Sequence, residues 1–545
     1  MALKRISSIL ICCTIAMSMM AVPARRDGFV RTAADGTEKI VYLHGNEDFH
    51  YMTDAEGNWL DESTLLPLSE EAKAKRLAVS SEQKARKAKK EVGGVPNTAP
   101  RGMIILVNFK DKAFSTPKDT IDSMMNGANF TRHYPYNYDY GTAPNIRHYE
   151  GICDAHGSAR KYFQDQSYGQ YNPIFDVMGP YTVSGNMATY GSNDWSGSDS
   201  NVGQLIKEAC ELANQNGADF TLYDNDNNGY VDFVYVIYAG YGEADGGPEN
   251  TIWPHNHQLS YTGYSCTVDG KRIDNYACSN EINYGAEVYA GIGTFVHEFG
   301  HVIGLPDIYS TDNESVHKTS GMWEIMDYGP YNNEGNTPPG YSAYERFYCG
   351  WLTPRVLTDP EYVWLNPIEH QEALLISSNN THNLVGYNPN PSTFYLLEAR
   401  NQTGWDAYIP GEGMLITKIN FSSYYWTYNA VNYSANDMHI DILEADGSAP
   451  AYNASNRTNG WFGKATDAFP AGATQWTALS NHEVTNISRQ PGGAITFSYR
   501  GGTSTELLEQ VADEQAALKI LKNGRVYILR GGKTYDILGH ENHQL

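Results

Sequence analysis

Basic side chains are scarce in this sequence relative to acidic ones. The 545 residues include 39 Lys and Arg against 63 Asp and Glu, which gives a formal net charge of −24 at pH 7. A protein that binds nucleic acid needs a basic surface to neutralise phosphates. The charge balance therefore argues against nucleic acid as a partner, and solubility alone is enough to account for the acidity.

Long hydrophobic runs are also rare, and the one candidate lies at the N-terminus. Lys4 and Arg5 form a basic start, residues 6–22 are largely apolar, and Val22–Ala24 suits signal peptidase. This run is too short for a membrane span, and no other stretch approaches one. We therefore predict a signal peptide over 1–24, no transmembrane segment in the mature chain, and a secreted or cell-surface location.

Cysteine is scarce as well. Of the seven cysteines, Cys12 and Cys13 leave with the signal peptide. The mature chain keeps five: Cys153, Cys210, Cys266, Cys278 and Cys349. Cys266 and Cys278 flank Asp269-Gly270, a hairpin-turn signal, so these two are placed to pair. The odd count leaves at least one thiol unpaired.

What the sequence does contain is typical of a folded extracellular protein. The apolar share is 41% and the charged share 19%, which indicates a globular chain rather than a disordered one. A length of 545 residues predicts several domains. The 40 tyrosines and 51 glycines suit an extracellular β-rich protein.

The stretch His297–Asp307 has the spacing of a catalytic metal site. His297 and His301 are four apart on a predicted helix, so both imidazoles reach one metal ion. Gly304 ends the helix in a left-handed conformation, and the chain then doubles back to deliver Asp307. A catalytic zinc site needs three protein ligands and one open position. The sequence predicts that His297, His301 and Asp307 hold zinc, with Glu298 as the general base.

Apolar residues behind the histidines support the helix. They recur at three- and four-residue steps: Ile292, Phe295, Val296, Phe299, Val302 and Ile303. One alternative is a buried helix whose histidines are satisfied by hydrogen bonds. Another is a third ligand located elsewhere, at His255 or His257.

A second stretch, Gly321–Gly329, resembles the methionine turn beneath the metal of the metzincin zinc peptidases. Met326 would be its methionine. The third ligand of that clan is usually His, and an Asp such as Asp307 occurs in some of its families. The resemblance also gives Tyr328 a place in supporting the oxyanion, with a packing tyrosine as the alternative.

Further stretches resemble the secreted immune inhibitor A-type metallopeptidases. They are Arg101–Phe109, Asp165–Gln170, Ile252–His255, Gln402–Asp406 and Gly411–Ile416. The resemblance runs from about residue 30 to about residue 500. It implies a zinc endopeptidase that acts on protein or peptide substrates.

The acidic stretch Asp224–Asp232 resembles a calcium loop, with oxygens at alternate positions and a glycine at the sharp turn. The side chains of Asp224, Asp226, Asn228 and Asp232 and the carbonyl of Tyr230 would be the ligands. The glutamate that an EF-hand needs at position twelve is missing, so the loop is not an EF-hand. The alternative is a polar turn that leads into a strand.

Changes of pattern along the chain predict its domains. These are a signal peptide 1–24, a propeptide 25–98, a zinc metallopeptidase catalytic domain 99–355, a β-sandwich domain 356–500, a linker 501–516 and a small β tail 517–545. The fold class is α+β and multidomain, in which a metzincin-like catalytic domain with a mixed sheet and long helices precedes the sandwich. The tail resembles type IX sorting signals, which implies a contact with export machinery.

Individual elements are predicted in each domain. The catalytic domain has strands at 103–109 and 231–239, a helix from 202 that closes near Gly217, and a last helix over 338–352. The propeptide has two strands between 39 and 60 and a solvated helix from 69 to 91. The sandwich strands are 362–365, 373–377, 394–399, 414–419, 439–443 and 494–499, and the tail strands are 518–521, 525–530 and 533–538.

The predicted function is a secreted zinc endopeptidase made as a latent precursor. Basic sites near Arg76 and Arg86 offer places to cut the propeptide, and the stretch Gly45–His50 is a candidate for blocking the zinc. One rival is a thermolysin-type peptidase, which takes its third ligand, a glutamate, from a later helix. The other is an inactive peptidase-fold adhesin, against which the intact Glu298 argues.

Overall fold

The computed structural model divides the chain into two compact units. It describes residues 22–25, 28–33, 35–46, 49–84, 99–140, 147–193, 198–284, 289–312, 317–451, 460–503, 518–522, 525–530 and 533–536. The first unit contains residues 1–341, 421–440 and 450–462, and the second contains 342–420, 441–449 and 463–545. One boundary between the units falls at 341/342, and two later segments of the chain belong to the first unit. The domain bounds from the sequence stay a prediction.

The N-terminal part of the first unit is a small antiparallel sheet followed by a helix. Its elements are β1 (Phe29–Thr32), β2 (Glu38–Asn46), β3 (Phe49–Thr53), β4 (Trp59–Leu60) and α1 (Glu70–Lys84). The strands pair in the order β1-β2-β3-β4. The predicted turn at 54–57 is confirmed, because the Asp54 carboxylate accepts from the backbone of Glu56 and Asn58 and Gly57 has a φ of 84°. The helix is confirmed as far as Lys84, and residues 85–98 lie outside the described part of the chain.

The catalytic part is built on a five-stranded mixed sheet. Its elements are β5 (Arg101–Asn108), α2 (Lys118–Asn126), β6 (Arg132–Tyr140), β7 (Arg147–Ala155), α3 (Ala159–Gln166), β8 (Ile174–Thr182), α4 (Met187–Gly191), α5 (Val202–Gln215), β9 (Tyr230–Val231), β10 (Val234–Tyr238), β11 (His255–Gln258), β12 (Cys266–Val268), β13 (Lys271–Ile273), β14 (Asn275–Asn280) and α6 (Gly293–Val302). The sheet order is β11-β14-β10-β5-β8, and all pairs are parallel except β11 with β14. The inner strands β5 and β10 are nearly continuous apolar runs because both faces of a parallel sheet are covered.

Most predicted elements of this part are confirmed. The two strands correspond to β5 and β10, with β9 as a separate short strand before β10, and the helix that starts at Val202 ends before Gly217, which has a φ of 94°. The helix predicted over 338–352 is wrong in extent, since only α7 (Ala343–Tyr348) forms. A capping box between Ser342 and Glu345 starts that helix, after two prolines and a glycine that do not continue one.

The predicted Cys266–Cys278 pairing is wrong. The Asp269-Gly270 hairpin is confirmed, with φ of 49° and 74° joining β12 to β13, but Cys278 lies on β14 in the five-stranded sheet. All five cysteines of the described residues are free thiols. The turn signal predicted the hairpin correctly, whereas the second cysteine belongs to another sheet.

The second unit is mainly β. Its strands are β15 (Arg355–Val356), β16 (Glu361–Leu365), β17 (Leu374–Ile376), β18 (Thr393–Arg400), β19 (Gly413–Asn420), β20 (Ile440–Ile442), β21 (Val484–Arg489) and β22 (Ile495–Tyr499); the short helix α8 (Ser423–Thr427) belongs to the first unit. They form two sheets, β15-β17-β18-β19-β20 and β16-β22-β21. One buried apolar cluster takes residues from both sheets, including Val363, Leu397 and Phe497. All six predicted strands form, and a sandwich remains our interpretation of their packing.

The tail forms an antiparallel three-stranded sheet of β23 (Leu518–Lys522), β24 (Arg525–Arg530) and β25 (Lys533–Asp536). The predicted turn at Asn523-Gly524 lies outside the described residues. Most of the predicted signal peptide, residues 1–21, lies outside them too. In the described part of the chain, no helix has the length and apolarity needed to cross a membrane.

Candidate metal centre

Helix α6 carries the two predicted histidines and buries them completely. Phe295 and Phe299 of α6 pack on Phe175 and Phe233 of the sheet region, with ring centroids 5.0–5.4 Å apart. This contact fixes the apolar side of the helix and turns the histidines the other way. At its C-terminus, Gly304 has a φ of 109° and the Leu305 amide donates to the carbonyl of Gly300 at 3.0 Å. The predicted left-handed glycine is therefore confirmed.

Backbone carbonyls determine which nitrogen of each histidine faces the site. Nδ1 of His297 is 2.8 Å from the carbonyl oxygen of Ile325, and Nδ1 of His301 is 2.9 Å from that of Leu305. A carbonyl oxygen only accepts, so each Nδ1 must carry the proton. Each Nε2 therefore has its lone pair free for a metal ion.

Asp307 completes the group and is positioned from far along the chain. Its backbone amide donates to the side-chain oxygen of Asn429 at 2.7 Å, and the Asn429 amide donates back to Oδ2. Burial by itself raises the pKa of Asp307, but the neighbouring His301 and His297 outweigh it and hold the pKa well below its ordinary value. The carboxylate is thus in the ionised form that a metal ligand requires.

The spacing of the three side chains fits zinc. One ligand atom from each of His297, His301 and Asp307 lies within 4.8 Å of the others, and Oδ1 of Asp307 is 3.2 Å from each Nε2. With bonds of ~2.0–2.1 Å, the ligands of a tetrahedral zinc ion lie about 3.3 Å apart. Two neutral imidazoles and one carboxylate are also a donor set that zinc prefers.

Met326 lies directly against the zinc-site helix. A Cβ placed on Gly300 would come within 2.6 Å of the Met326 sulfur. Gly300 is therefore needed for this close approach, between the two histidines. The residue before the methionine, Ile325, supplies the carbonyl that orients His297. The stretch thus lies against the predicted metal ligands, and its identity as a methionine turn stays a prediction.

Glu298 faces a peptide segment of the same chain. Residues 22–25 lie against the site, and the backbone amide of Val22 donates to Oε1 of Glu298 at 3.0 Å. Val22 and Ala24 are buried, and Trp253 Nε1 donates to the Val22 carbonyl at 3.2 Å. A backbone amide is therefore held within reach of the predicted general base.

The tyrosine that contacts this segment is Tyr331, three residues after the one predicted. Its hydroxyl donates to the carbonyl of Pro23 at 2.6 Å. Tyr328 is buried with its ring edge-on to Phe462, with centroids 5.0 Å apart. The oxyanion role of Tyr328 stays a prediction.

The alternative ligands do not join the site. His255 bonds to the Trp253 carbonyl and the Tyr276 hydroxyl. Burial lowers the pKa of His255 to about 4 and that of His257 to about 3, so both are neutral side chains of the edge strand β11. His50, in the stretch suggested to block the zinc, lies 3.0 Å from Glu243 instead.

The acidic side chains of the 224–232 loop are bonded to a lysine and to amide groups of the protein. Lys271 Nζ is 2.6 Å from the Asp224 carboxylate, which also accepts from the amides of Asn228 and Gly229. Asp232 accepts from both nitrogens of Asn225. Among the described residues, the acidic side chains of this loop do not form a group of three within 4.8 Å. Calcium binding here stays a prediction.

Several residues of the site were not predicted from the sequence. They are Asn429, which holds Asp307; Trp253 and Tyr331, which hold the segment at Glu298; and Asp245 and Glu334, which line the same cleft. None belongs to a spacing motif. Trp253 alone lies in a stretch that resembles the family, Ile252–His255. Tyr331 and Glu334 follow the stretch around Met326, which gave only a general signal.

Two imidazoles, one carboxylate and a buried glutamate beside a bound backbone amide define a metallopeptidase-type centre. Comparison with known proteins shows which family this region resembles. Residues 88–351 match the family model described as the catalytic domain of the immune inhibitor A peptidase M6. This region of the chain is therefore similar to the peptidase M6 catalytic domain, and the similarity supports a metalloendopeptidase of the hydrolase class.

Curated relatives agree with this assignment. The pre-pro-metalloprotease PrtV of Vibrio cholerae serotype O1 (strain M66-2) is 29% identical over 214 residues, which cover 35% of this chain and 23% of that protein. Immune inhibitor A of Bacillus thuringiensis subsp. alesti is 27% identical over 208 residues, or 34% of this chain and 30% of that protein. The chain thus spans less than a third of the length of either relative. The agreement concerns the catalytic region.

Proposed function

We propose that this chain is a secreted zinc-dependent endopeptidase of extracellular proteins, made as a latent precursor. The observation that carries the proposal is the backbone amide of Val22 on Glu298, beside three side chains whose ligand atoms fit one zinc ion. The M6 catalytic-domain match supports the reaction class. The apolar N-terminus and the acidic, lysine-poor composition support secretion.

The roles of the residues follow from their contacts. Zinc held by His297, His301 and Asp307 would polarise the scissile carbonyl and lower the pKa of a water to about 7. Glu298 takes a proton from the attacking water and, because Oε1 reaches a backbone nitrogen in the cleft, delivers it to the leaving amine. Trp253 and Tyr331 hold carbonyls of the bound chain and so keep its backbone extended across the site.

Latency follows from the segment that fills the cleft. Residues 22–25 contact Glu298, Trp253 and Tyr331, so a substrate cannot take the same place. The four-stranded sheet that follows packs its apolar side against Ala244 and Trp253, which anchors the segment. This proposal conflicts with the predicted signal peptide over 1–24, because a cut after Ala24 would remove Val22, Pro23 and Ala24. We propose instead that the precursor keeps the chain from Val22 onward.

Two variants of the full chain test the reaction. After trypsin activation and inhibition of the trypsin, casein should be cleaved by the wild type and not by Glu298→Ala treated in the same way, which keeps its zinc. Asp307→Ala should lose both zinc and activity. Full zinc content in Asp307→Ala would move the ligand elsewhere, and casein cleavage by Glu298→Ala would remove the general base from the mechanism.

Latency has its own measurement. The secreted Glu298→Ala precursor, which does not cut itself, should show by N-terminal sequencing that Val22 is still present. Uncut wild-type precursor should have little activity until limited proteolysis removes the N-terminal segment. Full activity in the uncut precursor would show that this segment is not a latency device.

A further inference from the structure

The segment 22–25 is held in the cleft mainly through its backbone. Glu298, Trp253 and Tyr331 contact the amide of Val22, the carbonyl of Val22 and the carbonyl of Pro23 in turn. The amide of Arg25 donates to the carbonyl of Ala244 at 2.7 Å. None of these contacts depends on a side chain of the segment, so any extended peptide makes them. The cleft therefore offers the segment the same backbone hydrogen bonds that it would offer an extended substrate.

One contact does depend on a side chain. The guanidinium of Arg25 pairs with the Glu334 carboxylate through two hydrogen bonds, at 2.7 and 3.0 Å. Both side chains are mostly buried, with 13% and 16% exposed. A two-point pair of this kind recognises the planar fork of arginine and not just a positive charge. Within the described residues, Arg25 is the hydrogen-bond and ion-pair partner of this carboxylate.

The backbone holds Glu334 in place at a cost in strain. Asn333 and Glu334 both have left-handed conformations, with φ of 50° and 54°. Such conformations are costly for residues other than glycine and persist where the surrounding structure enforces them. Here the side-chain amides of Asn283 and Asn336 each donate to the Glu334 carbonyl at 3.0 Å. The carboxylate is thus presented to the cleft by a rigid, strained turn.

A second acid faces the same region. Asp245 lines a small cavity together with Val22, Tyr331 and Gly335. It is 7% exposed, and its Oδ1 has no hydrogen-bond partner within the described residues. Burial raises the pKa of Asp245 to about 7, and Arg25 acts in the opposite direction. When the segment leaves, both acids lose the positive charge of Arg25, and the cleft is left with a negative potential.

We propose that Glu334, assisted by Asp245, is a specificity determinant that selects substrates with an arginine three residues after the residue whose amide nitrogen faces Glu298. This inference deepens the proposed function and rests on it, since it names the substrate class of the same cleft. The chain's own segment meets the requirement, because Arg25 follows Val22 by three residues. A simple anchor for the propeptide would give the same pair in the precursor but no preference among substrates.

The test uses competition, so it does not require that the probe be cleaved. The full chain is activated by limited trypsin treatment, and trypsin is then blocked with a covalent serine-protease inhibitor. Two amidated peptides of residues 17–25 compete with casein, one with arginine at its last position and one with citrulline. Citrulline keeps the shape of arginine and removes its charge. We expect the arginine peptide to have an inhibition constant about tenfold lower, the size of effect expected for charge-assisted hydrogen bonds.

Variants locate the effect. In Glu334→Gln the ratio of the two inhibition constants should fall to within about twofold of one, while Glu211→Gln, at an exposed acid of α5, should keep the wild-type ratio. Glu334→Arg should prefer a peptide with glutamate at the last position. Zinc content and thermal midpoint confirm that each variant is folded, and the wild-type comparison stands without them.

The outcomes separate the two proposals. Equal inhibition constants in the wild type, or a ratio that survives in Glu334→Gln, would overturn the arginine subsite while casein cleavage continued. Absence of casein cleavage by zinc-loaded wild type would overturn the proposed function. Binding of the same two peptides, labelled with a fluorophore, to the activated chain would still decide the subsite.

Discussion

The carboxylate of Asp307 accepts a hydrogen bond from the side-chain amide of Asn429. In return, the backbone amide of Asp307 donates to Oδ1 of Asn429. An outer hydrogen bond of this kind orients a ligand, and its loss typically costs 10–100-fold in metal affinity. We therefore expect Asn429→Ala to bind zinc about 10–100-fold more weakly, as measured by competition with a chelator.

A neighbouring asparagine is the control for that variant. Asn432 donates to the carbonyls of Ile308 and Ile440 and touches no predicted metal ligand. Asn432→Ala should lower the thermal midpoint without a selective loss of zinc. Equal zinc affinity in Asn429→Ala and wild type would show that Asp307 is oriented by its own turn alone.

The cleft wall depends on a glycine at the start of α6. A Cβ on Gly293 would come within 2.1 Å of the carbonyl oxygen of Pro330, which is backbone and has little freedom to move. Forcing extra volume into such a contact costs about 1–3 kcal/mol. Gly293→Ala should therefore lower the free energy of unfolding by about that amount, and it should displace the Pro330–Tyr331 wall and reduce activity.

Gly102→Ala is the matched control, because the nearest atom to its added Cβ is 3.4 Å away, an ordinary contact. Urea denaturation of both variants makes the comparison. If Gly293→Ala were as stable as Gly102→Ala, the Pro330–Tyr331 segment would be able to shift without a measurable cost in stability.

The sequence predicts those residues of the site that are close together along the chain. His297, Glu298, His301 and Asp307 lie within one helix and its following turn, so helical geometry brings them together without knowledge of the fold. Asn429 lies 122 residues beyond Asp307, and no local spacing points to it. Arg25 and Glu334 are 309 residues apart, and their contact depends on the complete first unit.

Among the elements, the loop before β9 shows how one sequence pattern admits two structures. Its alternating oxygens suit calcium, yet the contacts of the loop use Lys271 as the cation and backbone amides as donors. Calcium would have to displace the Lys271 ammonium from Asp224. We therefore expect calcium to raise the thermal midpoint only at millimolar concentrations.

The same reasoning predicts a larger calcium shift in Lys271→Gln, because the competing ammonium is gone. Thermal scans in chelator and in millimolar calcium, at constant zinc, measure both shifts. A midpoint unaffected by calcium in both proteins would leave the loop as a polar turn. The stability of Lys271→Gln in chelator would then report what the lysine contributes.

Periodicity predicted elements better than it predicted boundaries. Strands β5 and β10 and helices α5 and α6 follow from apolar spacing because each is buried along a regular face. The helix over 338–352 failed because a local capping box at Ser342 decides where it begins, which outweighs the weak apolar pattern around it. The return of residues 421–440 to the first unit had no sequence signal, since it depends on contacts such as Asn429 with Asp307.

For the molecule as a whole, the N-terminal sheet and the catalytic part share a buried ionisable group. His50 of β3 lies 3.0 Å from Glu243 and stacks on Trp253, with ring centroids 4.8 Å apart. Asn193 donates to the same Glu243 carboxylate at 3.0 Å. His50 and Glu243 are almost fully buried, so the docking of the N-terminal sheet depends on their charge.

Docking raises the pKa of each shifted group at this contact. Burial alone lowers the pKa of His50, but the charge and hydrogen bond of Glu243 outweigh it and raise the pKa above its ordinary value. Burial raises the pKa of Glu243 and of nearby Glu249. Glu62 and Arg76 also face the histidine, with opposite effects. The docked state therefore binds protons more tightly than the released state.

Stability linked to these groups should decrease as pH rises. A histidine with a raised pKa contributes stability that is complete below its ordinary value of about 6.5 and is lost as pH passes its raised value. The carboxyl groups act in the same sense, because docking opposes their ionisation.

The thermal midpoint of the Glu298→Ala precursor should therefore fall from pH 6 to pH 9, and His50→Gln added to it should flatten that fall. Adding His133→Gln, at an exposed histidine with 67% of its side chain accessible, should leave the slope unchanged. The same slope in both variants would show that the His50–Glu243 pair does not control how the N-terminal sheet is held.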